Sequence, residues 1–253
     1  MKSKLAWIPN SITMGNLFCG FLAILFTIRG LDFYHYAMLM MLVAAVLDFF
    51  DGYVARRLGV SSEVGRELDS LADVVSFGVA PAVLLYERAL KDTHSLGIIV
   101  VAFFVCCAAF RLARHNVLAS SGHKSYFTGM PIEGGATILI AFVLSQQHHI
   151  TSPAMKCVAM VSVLIAGLFM VSSLRFTANI PWVIRIGALI FMVFAIIYPG
   201  IWTLLIPFAY VAYGVLNNIH GIPCDEMPCD TPLPAMAVGE ESAMVQENIA
   251  LSK

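Results

Sequence analysis

From Ile186 to Cys224 the chain carries no Asp, Glu, Lys or Arg, and a stretch that long without charge cannot cover a water-facing surface. A spanning helix uses only about 20 apolar residues. The stretch therefore holds two, and Tyr198-Pro199-Gly200 supplies the turn between them. The remainder follows the same pattern. Of 253 residues, 59% are hydrophobic and 12% charged, roughly half the charge of an ordinary soluble domain. The mean hydropathy is +0.83. A bilayer is the solvent this composition suits, and a net charge of -1 without a basic patch excludes nucleic acid as a partner.

Apolar runs between charges mark about eight spans, at 8–29, 33–57, 65–88, 95–117, 131–148, 154–174, 182–198 and 200–217. They predict an all-α polytopic membrane protein with about eight transmembrane helices. The charge-free run Ile8–Ile28 is long for a signal peptide and is followed by further spans, so it reads as the first helix. With both termini cytoplasmic, the inner segments hold eleven of the 15 Lys and Arg, including Arg56, Arg57, Arg111 and Arg114. The outer segments hold Arg29, Arg88, Lys91 and Lys156, an imbalance that favours this orientation in a cell inner membrane. Charge-free runs such as Phe33–Leu47 and Val74–Tyr86 are too short to span alone, so their helices must continue into charged ends. Residues 1–220 read as the transmembrane domain. Residues 221–253, rich in Pro, Ala and acidic side chains without periodicity, read as a mobile cytosolic tail. Cys19, Cys106, Cys107 and Cys157 lie in apolar runs as small hydrophobes, and the Cys224 and Cys229 pair lacks the further ligands of a metal site.

Chemistry concentrates between residues 48 and 73. Asp48, Asp51, Gly52, Ala55 and Arg56 fall at i, i+3, i+4, i+7 and i+8, which puts two carboxylates, two small residues and an arginine on one helical stripe. Gly65, Asp69 and Asp73 form a second stripe. Gly59, Ser61 and Ser62 between the two favour a turn, which opposes the acidic faces of antiparallel neighbours. Four carboxylates gathered at a membrane boundary repel one another unless a cation compensates. Oxygen ligands of this kind suit Mg²⁺ or Mn²⁺, and two ions can share bridging carboxylates while keeping positions open for phosphate oxygens. Gly52 and Ala55 leave room for a ligand near the backbone, and Arg56 can grip its phosphate.

The residues quoted match the signature Asp-x2-Asp-Gly-x2-Ala-Arg-x8-Gly-x3-Asp-x3-Asp at every fixed position. In this the sequence resembles the CDP-alcohol phosphatidyltransferase family, over roughly its first six helices. The resemblance implies the family's helical bundle, a homodimer, and a metal-dependent attack by an alcohol on the β-phosphorus of a CDP-linked lipid with release of CMP. It further implies that Asp48, Asp51, Asp69 and Asp73 bind metal, that Asp73 also deprotonates the hydroxyl, and that Gly52, Ala55, Arg56, Ser62 and Gly65 border the CDP-lipid headgroup. Pro9-Asn10-Ser-Ile-Thr13 matches a second element, which puts Asn10 and Thr13 beside the nucleotide; as an N-terminal capping cluster it would look the same.

The acceptor alcohol is left open by the signature: serine, glycerol 3-phosphate and inositol or its phosphate are all used within the family. Arg111-Leu-Ala-Arg114-His115-Asn116, Phe127-Thr-Gly129-Met-Pro131 and Ser76-Phe-Gly-Val-Ala-Pro81 resemble elements of its serine-transferring branch, with His115, Met130 and Glu133-Gly-Gly as departures. The resemblance implies CDP-diacylglycerol and L-serine as substrates and phosphatidylserine as product. Arg111 and Arg114 share a helix face and can bind a carboxylate or phosphate, or serve only as membrane anchors. Asn116 joins them as a candidate contact, whereas His115 and His123 read as interfacial. An intramembrane prenyl transferase also uses two Asp-rich motifs, but its spacing lacks the Gly-x2-Ala-Arg run. A divalent-cation transporter would distribute carboxylates across the helices lining a path, and here helices five to eight offer only Glu133.

Overall fold

The computed structural model describes residues 5–176, apart from 6, 61, 121–126, 147–151 and 174, together with 190, 193, 194, 196–198, 200, 203 and 212. The seventh and eighth expected spans fall almost entirely outside the described residues, as do His123, Cys224, Cys229 and the 221–253 tail. Among the described residues five helices are long and apolar enough to cross a membrane: α1 (Trp7–Ile28), α2 (Tyr34–Leu58), α3 (Glu63–Thr93), α4 (Ser95–Ser120) and α6 (Pro153–Val171). Between the last two lies α5 (Ile132–Ser145), 14 residues long, which is short of the ~20 a perpendicular span requires.

Helix α3 is the axis of the described bundle. In its apolar window 56% of residues are buried, against 28–39% in the other spans. It packs against α1 on one side and α4 and α5 on the other, while α6 leans on α4 and α5. Helix α1 buries Pro9, Thr13, Asn16, Gly20, Ala23 and Thr27, a 4-3-4-3-4 spacing that makes one continuous seam of small and polar residues. Small residues let membrane helices approach closely, because apolar side chains gain little by leaving lipid for protein. At Gly20 a Cβ would sit 2.9 Å from the Ser76 Cα, so α1 and α3 meet there backbone to backbone.

The turn between α2 and α3 closes as its residues require. Gly59 takes φ 61° and ψ 36°. Its N–H donates to Arg56 O and that of Val60 to Ala55 O, the paired bonds that end a helix on a left-handed glycine. Ser62 then caps α3, its Oγ accepting from Gly65 N at 3.0 Å. The run beyond Asp73 departs from a regular helix. Val74–Val79 and Tyr86–Leu90 are π-helical, wider turns that often accompany functional sites. One small departure from the all-α expectation is an antiparallel pair of two-residue strands, β1 (Phe127–Thr128) and β2 (Arg175–Phe176), which gives loop backbone groups partners beside the end of α6.

Candidate active site

The α2–α3 turn folds the two acidic stripes together. Carboxylate oxygens of Asp48, Asp51 and Asp69 lie within 4.8 Å of one another. Asp73 lies against Asp48, one helical turn below Asp69. Asp51 and Asp73 are 5% and 7% exposed, so charge at these positions has lost most of its hydration. Asp69 Oδ1 and Asp73 Oδ1 are buried without a hydrogen-bond partner. Among the described residues no Lys or Arg makes an ion pair with any of the four. Clustered hard oxygen donors, two of them unsatisfied and none in a direct ion pair, fit a divalent cation.

Neighbouring side chains frame this cluster. Thr13 Oγ1 donates to Asp51 Oδ2 at 2.7 Å, with Pro9 O 3.0 Å away as its alternative acceptor, so the α1 motif reaches the acidic site. Asn10 Oδ1 lies 2.8 Å from where a Gly65 Cβ would stand, and Ser62 Oγ is 3.0 Å from the same point. Gly65 is therefore a place where only a bare backbone fits between two polar side chains. Arg56 folds back over Gly52, its Nη1 3.2 Å from a Cβ placed there, and remains exposed with its charge acting on Asp51. Ala55 is half-buried on the same stripe.

The α4 residues occupy different stations. Arg111 is 5% exposed and within electrostatic reach of His115. Arg114 reaches the end of α6, donating from Nη1 to Val171 O at 2.9 Å and from Nη2 to Ser172 O at 3.2 Å and Met170 O at 3.3 Å. It satisfies carbonyls that a helix C-terminus leaves open. Asn116 Nδ2 donates to Ser70 Oγ at 2.9 Å and Glu67 Oε2 at 3.2 Å, tying the end of α4 to α3. Two residues stand near the aspartates unannounced by the motif. Glu133, in the first turn of α5, is close enough for its carboxylate to act on Asp48, Asp69, Asp73 and His115. It also lines a cavity with Met41, Ala45, Phe77, Ala136, Thr137 and Ile140. Asn16, fully buried on α1, is the second: its backbone carbonyl accepts from Ser76 Oγ at 3.2 Å, three residues beyond Asp73 in the chain. The sequence signal available for Glu133 was its isolation as an acid among apolar helices.

Comparison with known proteins agrees with this geometry. The family model described as CDP-alcohol phosphatidyltransferase matches residues 6–194. A CDP-diacylglycerol–serine O-phosphatidyltransferase of Methanocaldococcus jannaschii is 32% identical over 218 residues, covering 86% of this chain and 97% of that protein. The Bacillus subtilis protein of the same name is 41% identical over 140 residues, 54% of this chain and 76% of its own. An archaetidylserine synthase of Methanothermobacter thermautotrophicus is 39% identical over 171 residues, 67% of this chain and 69% of that one. A match running from α1 past α6, with the four aspartates of the signature brought together from α2 and α3, means that this chain belongs to the CDP-alcohol phosphatidyltransferase family.

Proposed function

We propose that the protein transfers a phosphatidyl group from CDP-diacylglycerol to L-serine, forming phosphatidylserine and CMP. The observation that carries this reading is the convergence of the four aspartates, taken with relatives whose names specify a serine acceptor. Asp48, Asp51 and Asp69 would hold Mg²⁺ or Mn²⁺, with Asp73 completing a two-ion site. When bound, the metal would neutralise the diphosphate and the charge that develops on the leaving phosphate. Asp73 accepts the proton of the serine hydroxyl, whose oxygen forms a bond to the β-phosphorus as the bond to the CMP oxygen breaks. Arg56, Asn10, Thr13 and Ser62 border the headgroup, with Gly52, Ala55 and Gly65 giving it access to the backbone. The catalytic domain is residues 1–220, the active protein is a homodimer, and the site opens to the cytoplasm, with both termini on that side of the inner membrane.

Serine is a zwitterion, and the end of the bundle holding the aspartates offers both complements. Arg111 suits its carboxylate and Glu133 its ammonium. Arg114 and Asn116 support that end of α4 through the bonds they make to α6 and α3. Purified protein given radiolabelled serine, CDP-diacylglycerol and Mn²⁺ is expected to yield labelled lipid and equimolar CMP. Transfer to glycerol 3-phosphate with none to serine would overturn the assignment. Glu133→Gln is expected to raise the KM for serine about tenfold or more, the cost of one charge-assisted bond, and to leave the KM for CDP-diacylglycerol within about twofold. An unchanged serine KM would remove Glu133 from ammonium recognition.

A further inference from the structure

Asn16 stands out on the α1 seam because its side chain goes unused among the described residues. It is 0% exposed, and neither Nδ2 nor Oδ1 has a hydrogen-bond partner. Its neighbours on the seam behave otherwise: Thr13 donates to Asp51 and Thr27 to Ala23 O. An amide between packed membrane helices normally bridges them, and one left unpaired is costly to keep.

The facing turn of α3 can be located from three contacts. Asn10 lies against Gly65 near the top of the seam, and Gly20 meets Ser76 lower down. Between them Ser76 Oγ donates to Asn16 O at 3.2 Å. The two helices therefore run parallel in matched register, and Asn16 falls opposite the turn that contains Asp69 and Asp73. On that turn Asp69 Oδ1 and Asp73 Oδ1 are the buried oxygens without partners. Facing turns of α1 and α3 thus hold an unpaired amide and two unpaired carboxylate oxygens, just above the first π-helical segment, Val74–Val79.

The chemistry of the four atoms selects what joins them. A cation held by the carboxylates, as proposed above, still leaves the Nδ2 hydrogens of Asn16 without an acceptor. A hydroxyl serves both sides, since it can donate to a carboxylate while its oxygen accepts from an amide. We propose that Asn16 is a substrate-contacting residue that orients the acceptor hydroxyl, its Nδ2 donating to the hydroxyl oxygen while the hydroxyl proton points at Asp73. This rests on the phosphatidyl-transfer reading above and deepens it. As the oxygen bonds to the β-phosphorus, the proton passes to Asp73, the phosphorus–oxygen bond to CMP breaks, and CMP leaves with the bonding electrons. Asn16 is unchanged by the step and aligns the lone pair that attacks.

Asn16→Leu tests this, because leucine keeps the branching and number of side-chain heavy atoms, with bulkier methyls, and has no polar atom. If Asn16 were only structural, exchanging an unpaired buried amide for an apolar group would leave activity intact and stability equal or improved. The expected result is a fall of about 10- to 100-fold in kcat/KM for serine, with Tm equal or higher and with Mn²⁺ affinity and the KM for CDP-diacylglycerol within about twofold of wild type. Asn16→Gln, which restores the amide one methylene away, is expected to recover part of the loss. Unchanged serine kinetics in Asn16→Leu would overturn the proposal. A parallel loss of Mn²⁺ affinity would also overturn it, by placing Asn16 on the metal, as would a lower Tm with both KM values raised, which would trace the loss to disturbed packing of the seam. Should wild-type protein itself fail to label lipid from serine, the acceptor reading fails first, and the same comparison made with the alcohol that is transferred still decides the role of Asn16.

Discussion

Asp73→Asn is expected to reduce kcat by about 10³-fold while retaining part of the affinity for Mn²⁺. Asparagine has the shape of aspartate and can still lie against Asp48, so the packing of a 7%-exposed side chain is preserved. What disappears is a carboxylate able to take a proton from the acceptor, and a positioned base contributes about 10²- to 10⁴-fold. The metal-binding consequence differs because Asp48, Asp51 and Asp69 form a group within 4.8 Å that does not include residue 73. Calorimetric titration with Mn²⁺ and steady-state release of CMP separate the two effects. A kcat within about tenfold of wild type would remove Asp73 from the base role. A simultaneous collapse of Mn²⁺ binding would make it chiefly a ligand. Asp69→Asn provides the contrast, since loss of an oxygen inside the group should weaken metal binding and turnover together.

The acidic site was legible in the sequence because helical phasing alone fixes which side chains share a face. Residues 48, 51, 52, 55 and 56 needed only a helix, and Gly59 with Ser62 needed only a turn. Apolar length located the first four spans equally well: 8–29 and 33–57 became Trp7–Ile28 and Tyr34–Leu58. The third ran further than 65–88 because the helical backbone continues through π-helical and 3₁₀ turns, past the charged Lys91 and Asp92, to Thr93. No local pattern marks such widened turns, which answer to the packing of α3 against its neighbours in the bundle. The same reasoning explains what was hidden about Arg114, Asn116 and Asn16. Each role depends on a partner distant in the chain: the carbonyls of Met170–Ser172 for the first, Ser70 and Glu67 for the second, and the Asp69–Asp73 turn for the third. Glu133 lies 60 residues beyond Asp73, and only the docking of α5 on α3 brings the two together.

Gly129→Ala should be the most disruptive single-methyl change near the site. Gly129 has φ +86°, a backbone conformation costing an alanine roughly 1–2 kcal/mol. A Cβ there would also strike the Met170 carbonyl oxygen and come within 2.8 Å of Arg114 Nη2. The carbonyl belongs to the last turn of α6, so it cannot swing aside as a flexible side chain could. Arg114 is held by three carbonyls of that terminus, and Met130 N donates to Phe169 O at 3.0 Å beside it. Relief therefore requires moving the loop or the helix end, and overpacking of this kind adds about 1–3 kcal/mol. At a total near 3 kcal/mol, Tm should fall by roughly 6–12 °C. Gly59→Ala is the matched control: φ is +61° but nothing lies within 4 Å of the new methyl, so only the conformational cost applies. Thermal unfolding of the two variants in the same detergent should therefore differ, Gly129→Ala losing at least twice as much. Equal shifts would mean that the loop yields freely. The α6 terminus would then not hold the loop, and the start of α5 that carries Glu133 would be positioned by the helix packing alone.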